Sequence, residues 1–134
     1  MGRTYTRLAD AGVPVVAIRG TPYPGFDVPT CLSRRAARLP MADACAYERD
    51  EALHAAARAV QVDVVRQMSV RGLSVTAIDL ADEVCPMEQC DVMRRGRVVF
   101  TDGNHLTASF TRSTAGVVGE RLDRALATLG VRLP

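Results

Sequence analysis

Two short β-branched runs in this chain are joined by a long segment with helical periodicity, and that arrangement restricts the fold more than any other feature. Val13-Pro-Val-Val-Ala-Ile18, bounded by Gly12 and by Arg19-Gly20, has the continuous apolar character of a strand buried on both faces in a parallel sheet. Pro14 falls at its start, where a missing N–H is tolerated. The second run is Leu73-Ser-Val-Thr-Ala-Ile-Asp-Leu80. Between them Leu53, Ala56, Ala57, Val60, Val64 and Met68 recur at three- and four-residue steps, while Arg49, Asp50, Glu51, Arg58 and Arg66 occupy other faces. This predicts a helix from near Asp43 or Tyr47 to about Arg71, stopped by Gly72. Strand, helix and strand make a βαβ unit with a right-handed crossover and parallel pairing, so the class is α/β.

The remaining elements fit around that unit. Tyr5 to Ala11 reads as the last turns of a helix ended by Gly12. Thr21-Pro-Tyr-Pro-Gly-Phe-Asp-Val-Pro-Thr30 is a loop, because three prolines remove donors and fix φ. It leaves the C-terminal end of the first strand, where open parallel sheets bind ligands, and is either a wall of a site or a stiff connector. Leu32 to Leu39 reads as a short helix starting at Ser33 and ended by Pro40. His54, beside Leu53 on the long helix, reads as a surface or boundary residue. Asp79, Asp82 and Glu83 cluster at the end of the second strand and read as turn capping and solvation. Arg97-Val-Val-Phe-Thr101 is a third, short strand, and a final helix capped by Thr107 or Ser109 reaches about Leu129 before Gly130. Val117, Val118, Leu122, Leu126 and Leu129 form its apolar stripe.

At 134 residues the chain has the length of about one domain. Seventeen basic and fifteen acidic residues give a net charge of +2, with arginines spread along the chain and few aromatics, so nucleic acid is not favoured as a partner. No stretch approaches the roughly 18 apolar residues of a membrane span, and Met-Gly-Arg-Thr-Tyr-Thr-Arg lacks a signal-peptide core. Taken alone this suggests a cytoplasmic protein. Cys31, Cys45, Cys85 and Cys90, however, fall as two local pairs, the pattern of two short-range disulfides in an oxidising compartment. Free thiols and zinc ligation remain open on spacing alone. A Cys31–Cys45 bridge closing about 15 residues contributes about 3 kcal/mol in a chain-entropy account. No cofactor is expected.

The chemistry points to Asp102-Gly-Asn-His105, a turn held between the third strand and the final helix. A histidine acts as general base only when its tautomer and ring direction are fixed. A carboxylate accepting its N–H does both, and it stabilises the imidazolium formed during reaction. Three residues apart across a turn, Asp102 and His105 come within reach of each other. The alternative is that Asp102 caps the turn and His105 covers the helix start. No serine of the chain sits in a nucleophile motif; Cys85 is a remaining, weak candidate nucleophile.

The ordered blocks Val15-Val-Ala-Ile-Arg19, Thr21-Pro-Tyr-Pro-Gly-Phe-Asp-Val-Pro-Thr-Cys-Leu32, Asp79-Leu-Ala-Asp-Glu-Val-Cys-Pro86 with Cys90, and Phe100-Thr-Asp-Gly-Asn-His-Leu-Thr107 extend over nearly the whole chain. Together they resemble the SGNH-type domain fused to the C-terminus of family-three membrane acyltransferases. The resemblance implies a three-layer α/β/α fold with a parallel, flavodoxin-like sheet on the extracytoplasmic side of the membrane. It implies Asp102 as orienting acid and His105 as general base of a Ser-His-Asp triad, and both cysteine pairs as disulfides. It also implies an acyl donor, a polysaccharide acceptor and a membrane acyltransferase domain as partners.

Two departures stand out. The family's Gly-Asp-Ser-His nucleophile block, at the end of its first strand, has no counterpart here, and Arg19-Gly-Thr-Pro22 stands where relatives often have Arg-Asp-Thr-Pro. Residues 1–134 therefore read as a partial domain lacking the N-terminal strand and nucleophile block, with little or no esterase activity alone. A different class of function is a non-catalytic binding or structural remnant. In that case the open edge of its first strand favours association into an oligomer.

Overall fold

Two glycines turn helices into strands. In the computed structural model, which describes residues 2–38 and 45–131, Gly12 and Gly72 adopt φ of 73° and 77°. That conformation lets the N–H groups of Gly12 and Val13 bond back to Ala9 and Leu8, and those of Gly72 and Leu73 to Ser69 and Met68. Each set satisfies the last carbonyls of a helix and sends the chain off extended. The element order is α1 (Gly2–Asp10), β1 (Val15–Ile18), α2 (Val28–Ala36), β2 (Ala46–Glu48), α3 (Arg49–Ala52), α4 (Ala55–Val70), β3 (Val75–Ile78), α5 (Ala81–Val84), β4 (Gln89–Asp91), β5 (Met93–Arg94), β6 (Arg97–Val98), α6 (Ala108–Ser113) and α7 (Ala115–Thr128). The fold is α/β.

The chain divides into two compact units. One comprises the segment up to Gly20, then Ala55–Leu80, and the chain from Gly116 onward. Here β1 and β3 pair in parallel, Val15 opposite Val75 and Ile18 opposite Ile78, as the βαβ reading requires. Val15, Met68 and Val75 form the core, with Tyr5, Ala9, Val64, Val65 and Leu73 packed against it. The expected burial of β1 on both faces does not hold: only Val15 is buried, and Ile18 is 61% exposed. A sheet of two strands is too narrow to bury both. For the same reason the apolar stripe read along the long helix is buried only toward its C-terminal half; Val60 is 58% exposed. On α7 the stripe residues Val117, Val118, Leu122 and Leu126, with Leu129 just beyond its end, are half-buried around a buried Ala125. Asp79, at the end of β3, is ion-paired rather than solvated. Arg58 and, at 3.6 Å, Arg19 meet its carboxylate, and Arg121 donates to its backbone carbonyl.

The second unit comprises Thr21–His54 and Ala81–Ala115. Its core is Val28, Tyr47, Val84, Val92, Val99, Phe100 and Phe110 with the disulfides around them. Cys31 is bonded to Cys45 and Cys85 to Cys90, so no cysteine is free and the readings of metal thiolates and of a Cys85 nucleophile fall away. β2 and β4 are antiparallel with Tyr47 opposite Cys90, and β5 and β6 form a hairpin. Its two turn residues, Arg95 and Gly96, both have positive φ, which matches the strand twist.

Four expectations are corrected in this unit. The long helix does not start at Tyr47, which lies in β2. Arg49–Ala52 form a single turn, and His54, at φ 47°, breaks the chain before α4. Strand pairing to a segment pinned by the Cys85–Cys90 bridge overrides the helical periodicity of Tyr47 to Leu53. The first short helix starts at Val28 rather than near Ser33, because Asp27 accepts the Thr30 N–H at 2.8 Å and Pro29 fits the first turn. Its predicted end at Leu39 and Pro40, and the predicted helix start at Asp43, lie outside the described residues. The last helix is interrupted at Thr114, whose buried hydroxyl donates to the Thr111 carbonyl. The third strand is shorter than Arg97–Thr101, with only Arg97–Val98 in β6.

Candidate active site

The segment after β6 is clamped at both ends by its backbone and by Thr107. Val99 and Phe100 are fully buried; Val99 donates to Val92 and accepts from the Thr107 N–H at 2.8 Å. Thr101 N–H donates to the His105 carbonyl at 2.8 Å, and Phe100 bridges to Leu106. Thr107 closes the far end. Its hydroxyl donates to the Val98 carbonyl at 2.6 Å and accepts the Phe110 N–H, which caps α6.

Within this loop Asp102 uses both carboxylate oxygens. Oδ1 accepts the N–H groups of Asn104 and His105, each at 2.7 Å, the bonding that Asp favours at turns. Oδ2 lies 2.8 Å from Nδ1 of His105. Backbone N–H and ring donation from His105, then the Asn104 N–H, hold the Asp102 carboxyl down at about 2. An ionised carboxylate only accepts, so Nδ1 carries the proton in the neutral ring, and Nε2 presents a lone pair. The His105 side chain is 73% exposed and that of Asp102 45%, so the pair faces outward. This arrangement can remove a proton from a hydroxyl brought to Nε2.

The serines of the same unit are engaged elsewhere. Ser33 and Ser113 donate to the carbonyls of Pro29 and Phe110, and Ser109 shares a hydrogen bond with Thr107. No hydroxyl is bonded to His105 Nε2 among the described residues of this unit.

The proline-rich loop touches the turn directly. Gly25 N–H donates to the Gly103 carbonyl at 3.1 Å, and a Cβ on Gly103 would lie 3.0 Å from the Phe26 carbonyl oxygen. A side chain at Gly103, between Asp102 and His105, would make the Phe26 backbone give by a few tenths of an ångström. The loop also borders a groove of about 380 Å³ that Glu48, Glu51, His54 and Gln89 help to line. Tyr23 and His54 stack there with ring centroids 4.3 Å apart and planes 17° from parallel. Tyr47 lines the groove too; burial pushes its hydroxyl up to about 12, so it is a neutral O–H. Sequence reading placed Tyr47, Glu48 and Glu51 on one long helix and so missed the groove. The only local signal for it was the turn-forming loop at Tyr23–Gly25.

A family model described as SGNH domain (fused to AT3 domains) matches residues 1–119. No curated protein and no solved structure matches the chain.

Proposed function

Since the chain belongs to the family of SGNH domains fused to AT3 domains, we propose that it supplies the Asp-His half of a serine acyl-transfer site. That site acts on O-acyl groups of cell-surface polysaccharide at the extracytoplasmic face of a membrane. The observation that carries the reading is the 2.8 Å contact between Asp102 Oδ2 and His105 Nδ1, in a turn whose backbone also bonds Asp102.

The steps follow from the lone pair at Nε2. His105 takes the proton of a serine hydroxyl as its oxygen bonds to the acyl carbonyl carbon. The imidazolium then returns that proton to the departing alcohol as the ester C–O bond breaks. A sugar hydroxyl or water, deprotonated by the same ring, then attacks the acyl carbonyl carbon; the bond to the serine oxygen breaks and the ring returns the proton to that oxygen. Asp102 holds the ring and balances its transient charge throughout. The serine and the oxyanion donors, which supply the largest electrostatic contribution to acyl transfer, belong to a segment outside this sequence. In relatives the SGNH domain is fused to a membrane acyltransferase domain. Among the described residues no helix is long and apolar enough to cross a membrane.

The purified chain is expected to hydrolyse p-nitrophenyl acetate no faster than buffer. Turnover abolished by His105→Ala would sink the incompleteness of the site. Fusion of a family Gly-Asp-Ser-His segment ahead of Met1 is expected to create His105-dependent turnover; a folded, inactive fusion would sink the triad reading.

A second reading rests on β1, whose only strand neighbour among the described residues is β3. An edge with unpaired backbone groups and an exposed Ile18 suits a non-catalytic module that associates by strand pairing. Concentration-dependent mass in sedimentation, lost on Val16→Pro, is the expected signature of that role.

A further inference from the structure

The groove bordered by the proline-rich loop is not used by any step above, yet it has the chemistry of a binding site. Its volume of about 380 Å³ falls within the roughly 300–1,000 Å³ of small-ligand sites. The Tyr23–His54 stack presents a flat aromatic surface, against which the C–H face of a sugar ring packs. Around it stand hydrogen-bonding groups of one dominant kind. Glu48 and Glu51 are acceptors, and Gln89 Nε2 donates to Glu48 at 2.9 Å, which orients that carboxylate. Sugar hydroxyls are the donors such a site requires. Tyr47 adds a hydroxyl that is buried with no hydrogen-bond partner among the described residues.

Charge narrows the ligand further. Among the described residues the lining holds two carboxylates and no lysine or arginine, so phosphates and acidic sugars are repelled. The backbone supplies an independent sign. His54 sits at φ 47°, a conformation that favours glycine, while its ring stacks on Tyr23. The groove is also coupled to the turn of the Asp-His pair, because Gly25 in its wall donates to Gly103.

We propose that this groove is a subsite for an uncharged pyranose ring, packed on the Tyr23–His54 stack and hydrogen-bonded by Glu48 and Glu51. Resting on the acyl-transfer reading above, it assigns the groove to the acceptor saccharide.

The test is titration of the 134-residue chain with the methyl glycosides of glucose, galactose and N-acetylglucosamine, and with methyl glucuronide, followed by amide chemical shifts. At least one neutral glycoside is expected to give saturable shifts at Gly25, Glu48 and His54, with methyl glucuronide weaker by about tenfold. His54→Gly relieves the left-handed backbone and so preserves or raises stability. It is nevertheless expected to weaken neutral-glycoside binding by about tenfold, as is Glu51→Gln. No saturable shift with any neutral glycoside, unchanged affinity in folded His54→Gly, or glucuronide binding as tightly as the neutral sugars would each overturn the subsite. These outcomes are separate from turnover. Glycoside binding alongside a folded, inactive serine fusion leaves the subsite standing and removes the triad reading, whereas turnover without glycoside binding does the reverse.

Discussion

Gly25 donates its N–H to the carbonyl of Gly103 at 3.1 Å, so the proline-rich loop and the Asp102–His105 turn share a backbone hydrogen bond. Gly103 is also the residue whose missing side chain lets Phe26 approach. Gly103→Ala places a methyl 3.0 Å from the Phe26 carbonyl oxygen. The Phe26 backbone must give by a few tenths of an ångström, at an expected cost of about 1–3 kcal/mol. Thermal unfolding is expected to show a lower midpoint, and the Gly25 amide is expected to exchange with solvent faster than in the parent chain.

Asp102 is expected to set the tautomer of His105. With the carboxylate accepting from Nδ1 at 2.8 Å, the neutral ring carries its proton there. Asp102→Asn offers an amide that can donate to Nδ1 instead, which favours the proton on Nε2. Nitrogen-15 shifts of the imidazole distinguish the two. In a serine-completed protein the same change is expected to lower kcat by roughly 10⁴-fold with the fold intact.

The carboxyl of Asp102 also makes stability depend on acid. Its folded value of about 2 lies below the ordinary carboxyl value of 3.8, because backbone and ring N–H groups of His105 bond the charged form. A depressed carboxyl stabilises the folded state fully above its unfolded pKa and loses that contribution as pH falls through the folded value. The stability difference between the parent chain and Asp102→Asn is therefore expected to shrink as pH falls from 5 toward about 2. Urea titrations across that range measure it.

Both disulfides lie in the unit that carries the turn and the groove. Thiol titration under denaturing, non-reducing conditions is expected to find no free cysteine. Replacing Cys31 and Cys45 by serine is expected to cost about 2–4 kcal/mol and to loosen β2, which begins beside Cys45. Denaturant midpoints with and without reductant give the comparison.

Thr107 joins the end of the turn to α6, accepting from Phe110 N–H while donating to Val98. Thr107→Ala removes both bonds and is expected to cost about 1–2 kcal/mol, while Thr107→Ser recovers most of it. Unfolding free energies of the two variants check the hydroxyl's role directly.

Several features were legible in the sequence because the atoms that create them lie a few residues apart. Gly12 and Gly72 end their helices through bonds reaching back three and five residues. Asp102 reaches His105 across three. Thr107 caps the helix start where a threonine after a turn should. The parallel pairing of β1 with β3 was also readable, because two β-branched runs joined through a helix have one common solution.

Other features depended on segments far apart in the chain. Tyr47 belongs to a strand because Cys90, more than forty residues later, lies opposite it; nothing in Tyr47 to Leu53 contradicts a helix. Asp79 finds Arg19, Arg58 and Arg121 on three different segments, so reading it as a solvated turn residue was reasonable locally and wrong globally.

The sequence by itself determined the α/β class, the helix stops and the Asp102–His105 turn, since local hydrogen bonds and hydrophobic periodicity encode them. Only the tertiary structure decided where the long helix breaks, and with it the left-handed His54 and the groove facing Tyr23. Strand pairing and disulfide closure between distant segments outweighed a local helical preference worth only tenths of a kcal/mol per residue, roughly.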